Sequence, residues 1–228
     1  GITVAEANAA YSSTNGVLFN KDQTLLIQCP GGMTGSYIIP HSVTAIQGSA
    51  FQYCTSLYLV EISPATTNIG PGVFTGCSNL TRLVIPDSVT SIDYYAFSGC
   101  PSLTKVYFLG NAPIVEYDMF RNTNMIATIY RLPGATGWPP VPDLWADHPT
   151  AYWLPEVRDD EPFGMQEGRF GFTVGWATGQ TVVVEACMDM VAPAWSPLQT
   201  NFLSSGTFYF GDPQWTNYPD RFYRLRSP

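Results

Sequence analysis

The stretch Ile85-Pro-Asp-Ser-Val-Thr-Ser-Ile-Asp-Tyr-Tyr-Ala-Phe-Ser-Gly-Cys-Pro-Ser-Leu103 is the clearest copy of a motif that recurs at one fixed interval along the chain. Offsetting the chain against itself by that interval aligns Phe51, Phe74, Phe97 and Phe120. Ile46, Ile69, Ile92 and Val115 fall in a second column, and Cys54, Cys77 and Cys100 in a third, with Thr123 in the fourth place. Leu57, Leu80, Leu103 and Ile126 follow, then Val60, Leu83, Val106 and Ile129, and finally Ile39, Ile62, Ile85 and Phe108. Six apolar columns repeating in one register require units that stack on one another, each burying its apolar side against the next.

Within a unit, Leu80-Thr-Arg-Leu-Val-Ile85 has the spacing L-x-x-L-x-L. That pattern, at a period of about 23 residues, identifies a leucine-rich repeat. Its second half reads as a short strand in which Leu83 and Ile85 point into the coil and Val84 points out. Pro86 and Asp87 end the strand, since proline donates no ladder hydrogen bond and aspartate favours turns. The return path brings Val89, Ile92, Phe97 and Cys100 back to the core, with room for at most a short helix.

The same stretch, Ile85 to Leu103, closely resembles the BspA-like leucine-rich repeats of bacterial surface proteins. The resemblance runs over about residues 16 to 135, although the second unit has Ser63-Pro64 where the pattern has Ile-Pro and a polar turn. The fourth unit keeps Val115, Phe120, Ile126 and Ile129 but ends in Arg131-Leu132-Pro133, as expected of a terminal repeat with one side uncovered. Ahead of the repeats, Gly16 to Gln28 places two apolar runs around Asn20-Lys21-Asp22, the pattern of a β-hairpin that seals the open end. Behind them, residues 134–155 carry Trp138, Trp145, Trp153 and many prolines, which reads as a C-terminal cap with Thr150 to Leu154 as a last strand.

From Phe163 to the end of the chain the period is lost. Arg169 to Trp176, Thr181 to Cys187, Phe208 to Phe210 and Arg221 to Leu225 read as strands between turn signals, the pattern of a small antiparallel sandwich. This tail also resembles a C-terminal module of secreted proteins from environmental bacteria, through Gly179 to Glu185, Trp195 to Leu198, Phe210 to Pro213 and Arg221 to Arg224. The resemblance implies export and assigns no catalytic residue. The expected organisation is thus mostly β: a capped leucine-rich repeat solenoid of about four units over 1–155, a linker over 156–162 and a β-sandwich over 163–228.

Composition excludes several function classes. The 228 residues carry 18 acidic and 10 basic side chains, a net charge of -8, and the only lysines are Lys21 and Lys105, so the chain repels phosphate backbones and no nucleic-acid partner is expected. No apolar run of about 18 residues exists to span a membrane. No signal peptide is visible in Gly1 to Ala10, and Gly1 in place of Met is expected of a mature or trimmed chain. The five cysteines are odd in number and three of them sit in the repeat register, so they read as buried thiols rather than bridges or metal ligands. Cys29 and Cys187 lie outside that register, and no bridge between them is expected.

Enzyme chemistry finds no foothold. His41 and His148 are isolated and read as solvated turn residues, and no nucleophile elbow, phosphate loop or paired zinc motif is present. Glu61, Asp87, Asp93, Glu116 and Asp118 are the carboxylates of the repeat block, and only Glu61 falls in an outward strand position. The run Asp159-Asp160-Glu161, with Glu156 nearby, lacks the alternating spacing and glycine of a calcium loop, so it reads as solvated charge and neither metal nor cofactor is expected.

A solenoid of this kind presents a surface, because strands about 4.8 Å apart set one outward side chain from each coil in a row. One row is Ile38, Glu61, Val84, Tyr107 and Tyr130, and the other is Ser36, Leu59, Arg82, Lys105 and Thr128. Leu59, Glu61, Arg82, Lys105, Tyr107 and Tyr130 form the candidate ligand-binding face, since tyrosine and arginine are enriched at interfaces. The expected function is a non-catalytic, secreted or cell-surface module that binds a protein ligand, as the family resemblance implies. The alternative is carbohydrate binding through Trp176, Trp195, Trp215, Tyr209 and Tyr218 of the tail.

Overall fold

The structure is a computed structural model, and it describes residues 1–123, 127–158, 160–218 and 220–228. The chain divides into two compact units, Gly1–Tyr152 and Trp153–Pro228. Both are built from strands, and among the described residues the one helical element is a single 3-10 turn at Trp215–Asn217.

The first unit is a β-solenoid. Thr34–Ile38, Ser56–Glu61, Arg82–Ile85, Lys105–Phe108, Thr128–Arg131 and His148–Tyr152 form one parallel sheet in chain order, with Leu144–Trp145 added at the edge as an antiparallel strand. Their pairing sets Val60 opposite Leu83, Leu83 opposite Val106, and Val106 opposite Ile129, an inward column with one member from each coil. A second sheet, in which two-residue strands follow Leu25–Gln28, sets Leu26, Ile46, Ile69, Ile92 and Val115 in one row. The proline that follows several of the front strands forces the turn between the two sheets.

A third side has no sheet, and its backbone bonds still run from coil to coil. Ser49, Phe51 and Tyr53 donate to the carbonyls of Pro71, Val73 and Thr75, and Gly72, Phe74 and Gly76 donate to those of Tyr94, Ala96 and Ser98. Inside this turn side the phenylalanines stack at 5.2, 5.8 and 5.3 Å between centroids. Phe51, Phe74 and Phe97 are completely buried. Such ring pairs add about 0.5–1.5 kcal/mol each beyond the burial of their area.

The strands of the front sheet make about five turns, one more than the four units expected. The terminal coils lack the full apolar signature because caps cover them. At the start, Tyr11–Thr14, Val17–Asn20 and Leu25–Gln28 form an antiparallel three-stranded cap, whose tight turn is held by Asn20 Oδ1 accepting from the amides of Thr24 and Leu25. At the end, Trp138 and Trp145 pack edge-on against Phe108, at 4.9 and 5.3 Å. Arg131 continues the Ile85–Phe108 column into this cap, where it is buried and donates to Pro139 O.

The second unit contains two antiparallel sheets. Phe163–Gln166, Arg169–Gly175, Thr207–Asp212 and Glu156–Val157 form one, and Thr181–Cys187, Ser196–Phe202 and Phe222–Arg226 the other. Tyr223 of the second sheet lies 5.5, 5.7 and 5.8 Å from Phe170, Phe172 and Phe210 of the first, so facing rings fill the space between them. Glu156 pairs with Gly175 and Val157 with Val174, so this part of the expected 156–162 linker is an edge strand.

Candidate binding surface

The front sheet registers Ser36, Leu59, Arg82, Lys105 and Thr128 in one outward row and Ile38, Glu61, Val84, Tyr107 and Tyr130 in the other. Arg82, Lys105 and Glu61 are exposed, and Leu59 and Tyr130 are half-buried. Tyr107 differs from the expectation of an accessible ring, being only 8% exposed. Its ring is sandwiched: Tyr130 stacks on it at 4.8 Å and 18°, and the Arg82 guanidinium lies 4.6 Å from its centroid. Tyr107 therefore works from beneath, fixing two neighbours that do face outward. A stacked guanidinium and ring lose little further freedom when a partner covers them.

Residues 33–134, which carry most of this sheet, match the BspA type leucine rich repeat region in six copies. The repeats are thus similar to those of the BspA type. A leucine-rich repeat protein from Eubacterium ventriosum shares 28% identity and a TM-score of 0.52 with this chain, over 57% of this chain and 35% of its own. The pneumococcal vaccine antigen PcpA (19% identity, TM-score 0.43, 58% and 45% covered) is more distant. So is a leucine rich cell surface protein from Faecalibacterium prausnitzii (23%, 0.44, 56% and 40%). The chain spans less than half the length of each of these structures. No curated protein matches it.

Behind the strand face the remaining candidates are structural. The Cys77 and Cys100 thiols donate to Phe51 O and Phe74 O at 3.1 Å, and Thr123 Oγ1 donates to Phe97 O in the same way. Threonine can stand in the cysteine column because each side chain supplies one short donor to the carbonyl of the preceding coil. Burial pushes the Cys100 thiol up to about 12 and the Cys77 thiol further, so neither is a nucleophile at neutral pH. Cys29, read as lying outside the register, is completely buried at the head of this column, where its carbonyl accepts from the Cys54 thiol at 3.9 Å. All five cysteines are free, and Cys187 lies against the Met190 sulfur.

His148 is the clearest correction. Read as a solvated turn residue, it is 2% exposed and packs its imidazole against Phe120 at 4.5 Å, so it closes the phenylalanine ladder. Tyr37 caps the other end, 5.9 Å from Phe51. Desolvation holds the His148 pKa below its ordinary value, opposed by the hydrogen bond between Nδ1 and Ala127 O. The tryptophan cap is inserted between Phe120 and His148, and the longer spacing takes the histidine out of the visible register.

In the second unit the rings considered for sugar stacking are engaged. Trp176 is buried and donates to Trp153 O, Trp215 donates to Gly168 O, and the guanidiniums of Arg224 and Arg221 lie over Trp195 and Tyr218 at 4.5 and 4.2 Å. Tyr209 is 40% exposed. These two arginines and Arg226 pair with buried carboxylates, Arg224 and Arg226 with Glu185, and Arg221 with Asp212. Hydrogen bonds from Arg226 and Arg224 hold the Glu185 carboxyl below the usual range. Asp160 of the acidic run binds Arg158, and Asp159 lies outside the described residues, as does Ile126 of the leucine column. Among the described residues no three metal-ligating side chains gather, and no helix is long and apolar enough to cross a membrane.

Proposed function

We propose that the repeat unit is a protein-binding module of a secreted or cell-surface protein, and that it takes its ligand across the front sheet. The observation that supports this reading is the pre-ordered set at the sheet centre: Arg82 and Tyr130 held on either side of Tyr107, with Lys105 in register beside Arg82. Central, rigid arginine and tyrosine side chains are the usual energetic anchors of interfaces. Two cations at the centre of a face, in a chain of net charge -8, suit an acidic patch on the partner. Glu61, one coil away, supplies a charge of the other sign that would set orientation.

The test is capture of ligands from exported or matrix proteins by the intact chain, followed by affinities for purified candidates. Arg82→Ala and Tyr130→Ala are each expected to weaken binding about tenfold or more, and Lys105→Ala to slow association chiefly at low salt. Unchanged affinity in both Arg82→Ala and Tyr130→Ala rules the front face out.

A further inference from the structure

On the turn side of the solenoid, two positions in each of four successive coils adopt positive φ. Ser49, Gly72, Tyr95 and Asp118 occupy the first, at 60, 60, 59 and 55°. Tyr53, Gly76, Gly99 and Asn122 occupy the second, at 56, 72, 66 and 54°. Glycine adopts this region freely, whereas a tyrosine does so at a steric cost. Tyr95 thus stands where the neighbouring coil has Gly72, and what it presents is a ring.

That ring belongs to a wall. The position before it reads Gly48, Pro71, Tyr94, Tyr117 along the coils, so small residues in the first two coils give way to tyrosines in the next two. Tyr94 stacks on Tyr117 at 6.0 Å and 10°, and Tyr95 meets both edge-on. Tyr117 and Tyr94 are 69% and 39% exposed, so each ring still meets solvent beyond the stacked pair. The step from small residues to rings leaves a shallow groove of about 620 Å³. Gly48, Pro71 and Gly72 line its floor, and Ser49, Gln52, Thr75 and Ser98 supply hydroxyls and an amide.

Charge and backbone narrow the ligand. Among the described residues Arg121 is the one cation lining the groove, and it is tied to Tyr95 Oη at 3.2 Å and to Asp118 at 3.8 Å. The amides of Ser49, Phe51, Gly72, Phe74 and Gly76 are all used between coils, so an extended peptide finds no ladder to join. Recognition is left to ring faces, hydroxyls and side-chain amides. These meet the apolar C–H faces and the equatorial hydroxyls of a pyranose, and the coil spacing of about 4.8 Å repeats them along a chain.

From this geometry we infer that the groove lined by Tyr94 and Tyr95, with Tyr117 stacked on Tyr94, binds a neutral oligosaccharide, independently of the front sheet. The test titrates the intact chain calorimetrically with cellohexaose, maltohexaose, chitohexaose and mannohexaose, and with a proline-rich peptide. At least one sugar is expected to bind, with an affinity insensitive to salt. Tyr94→Ala should weaken it about tenfold, and Tyr209→Ala in the second unit should leave it unchanged. Tyr95→Gly, which relieves the backbone, should keep the parent's melting transition and still lose sugar affinity. Absence of binding by all four sugars overturns the inference. So does sugar binding that Tyr94→Ala and Tyr95→Gly leave intact, or a groove that takes the peptide in preference.

Discussion

The strand side and the turn side of each coil are made by the same repeat unit yet tolerate different things. On the strand side alternate residues point outward from a regular parallel ladder, so side chains as different as Ile38, Glu61, Val84 and Tyr130 occupy equivalent places. On the turn side, positive φ and close coil-to-coil approach restrict the choice at many positions. A Cβ on Gly70 would sit 2.9 Å from Ile46 O and 3.0 Å from Gly48 N, both backbone atoms. Variation is free on one side and is tolerated only at a cost on the other, where a residue such as Tyr95 holds its positive φ against its own Cβ.

The sharpest way to break this contrast is to remove the layer that both sides share. Phe74→Ala deletes a fully buried ring stacked on both sides and should cost about 3–5 kcal/mol in chemical denaturation, perturbing both surfaces together. The two sides should then separate. Gly70→Ala is expected to cost about 1–3 kcal/mol, because the backbone must shift, whereas Val84→Ala on the strand side should cost under about 1 kcal/mol.

A smaller effect concerns the ladder's end. The His148 pKa is lower in the folded chain than its ordinary value of 6.5, so the unfolded state binds more protons between the two values. Stability of the first unit should therefore be full above about pH 7 and fall as pH drops through 6.5 toward the folded value, and His148→Phe should flatten that dependence. The smallest expected change is Cys77→Thr. Thr123 already makes the equivalent bond, so stability in chemical denaturation should change by about 1 kcal/mol or less.

What is legible in the sequence extends as far as the period does. Columns one period apart place Leu83 and Ile85 inward and Arg82 and Lys105 outward, because pairing in register preserves the alternation of a strand. Where the spacing breaks, roles are hidden: the steps from Cys29 to Cys54 and from Phe120 to His148 are both longer than one period, yet both residues complete buried columns. Burial of Tyr107 is not legible either, since it depends on how the Arg82 and Tyr130 side chains fold over it rather than on which way it points. The turn-side groove leaves a trace in Tyr94 and Tyr95, which replace the Pro71 and Gly72 of the preceding repeat.

The direct test of the strand side as the protein-binding side is a paired affinity measurement on a captured ligand, comparing Arg82→Ala/Tyr130→Ala with Tyr94→Ala/Tyr117→Ala in the intact chain. The account predicts a loss of about tenfold or more for the first pair and none for the second. Retained affinity in the first pair, with loss in the second, contradicts it.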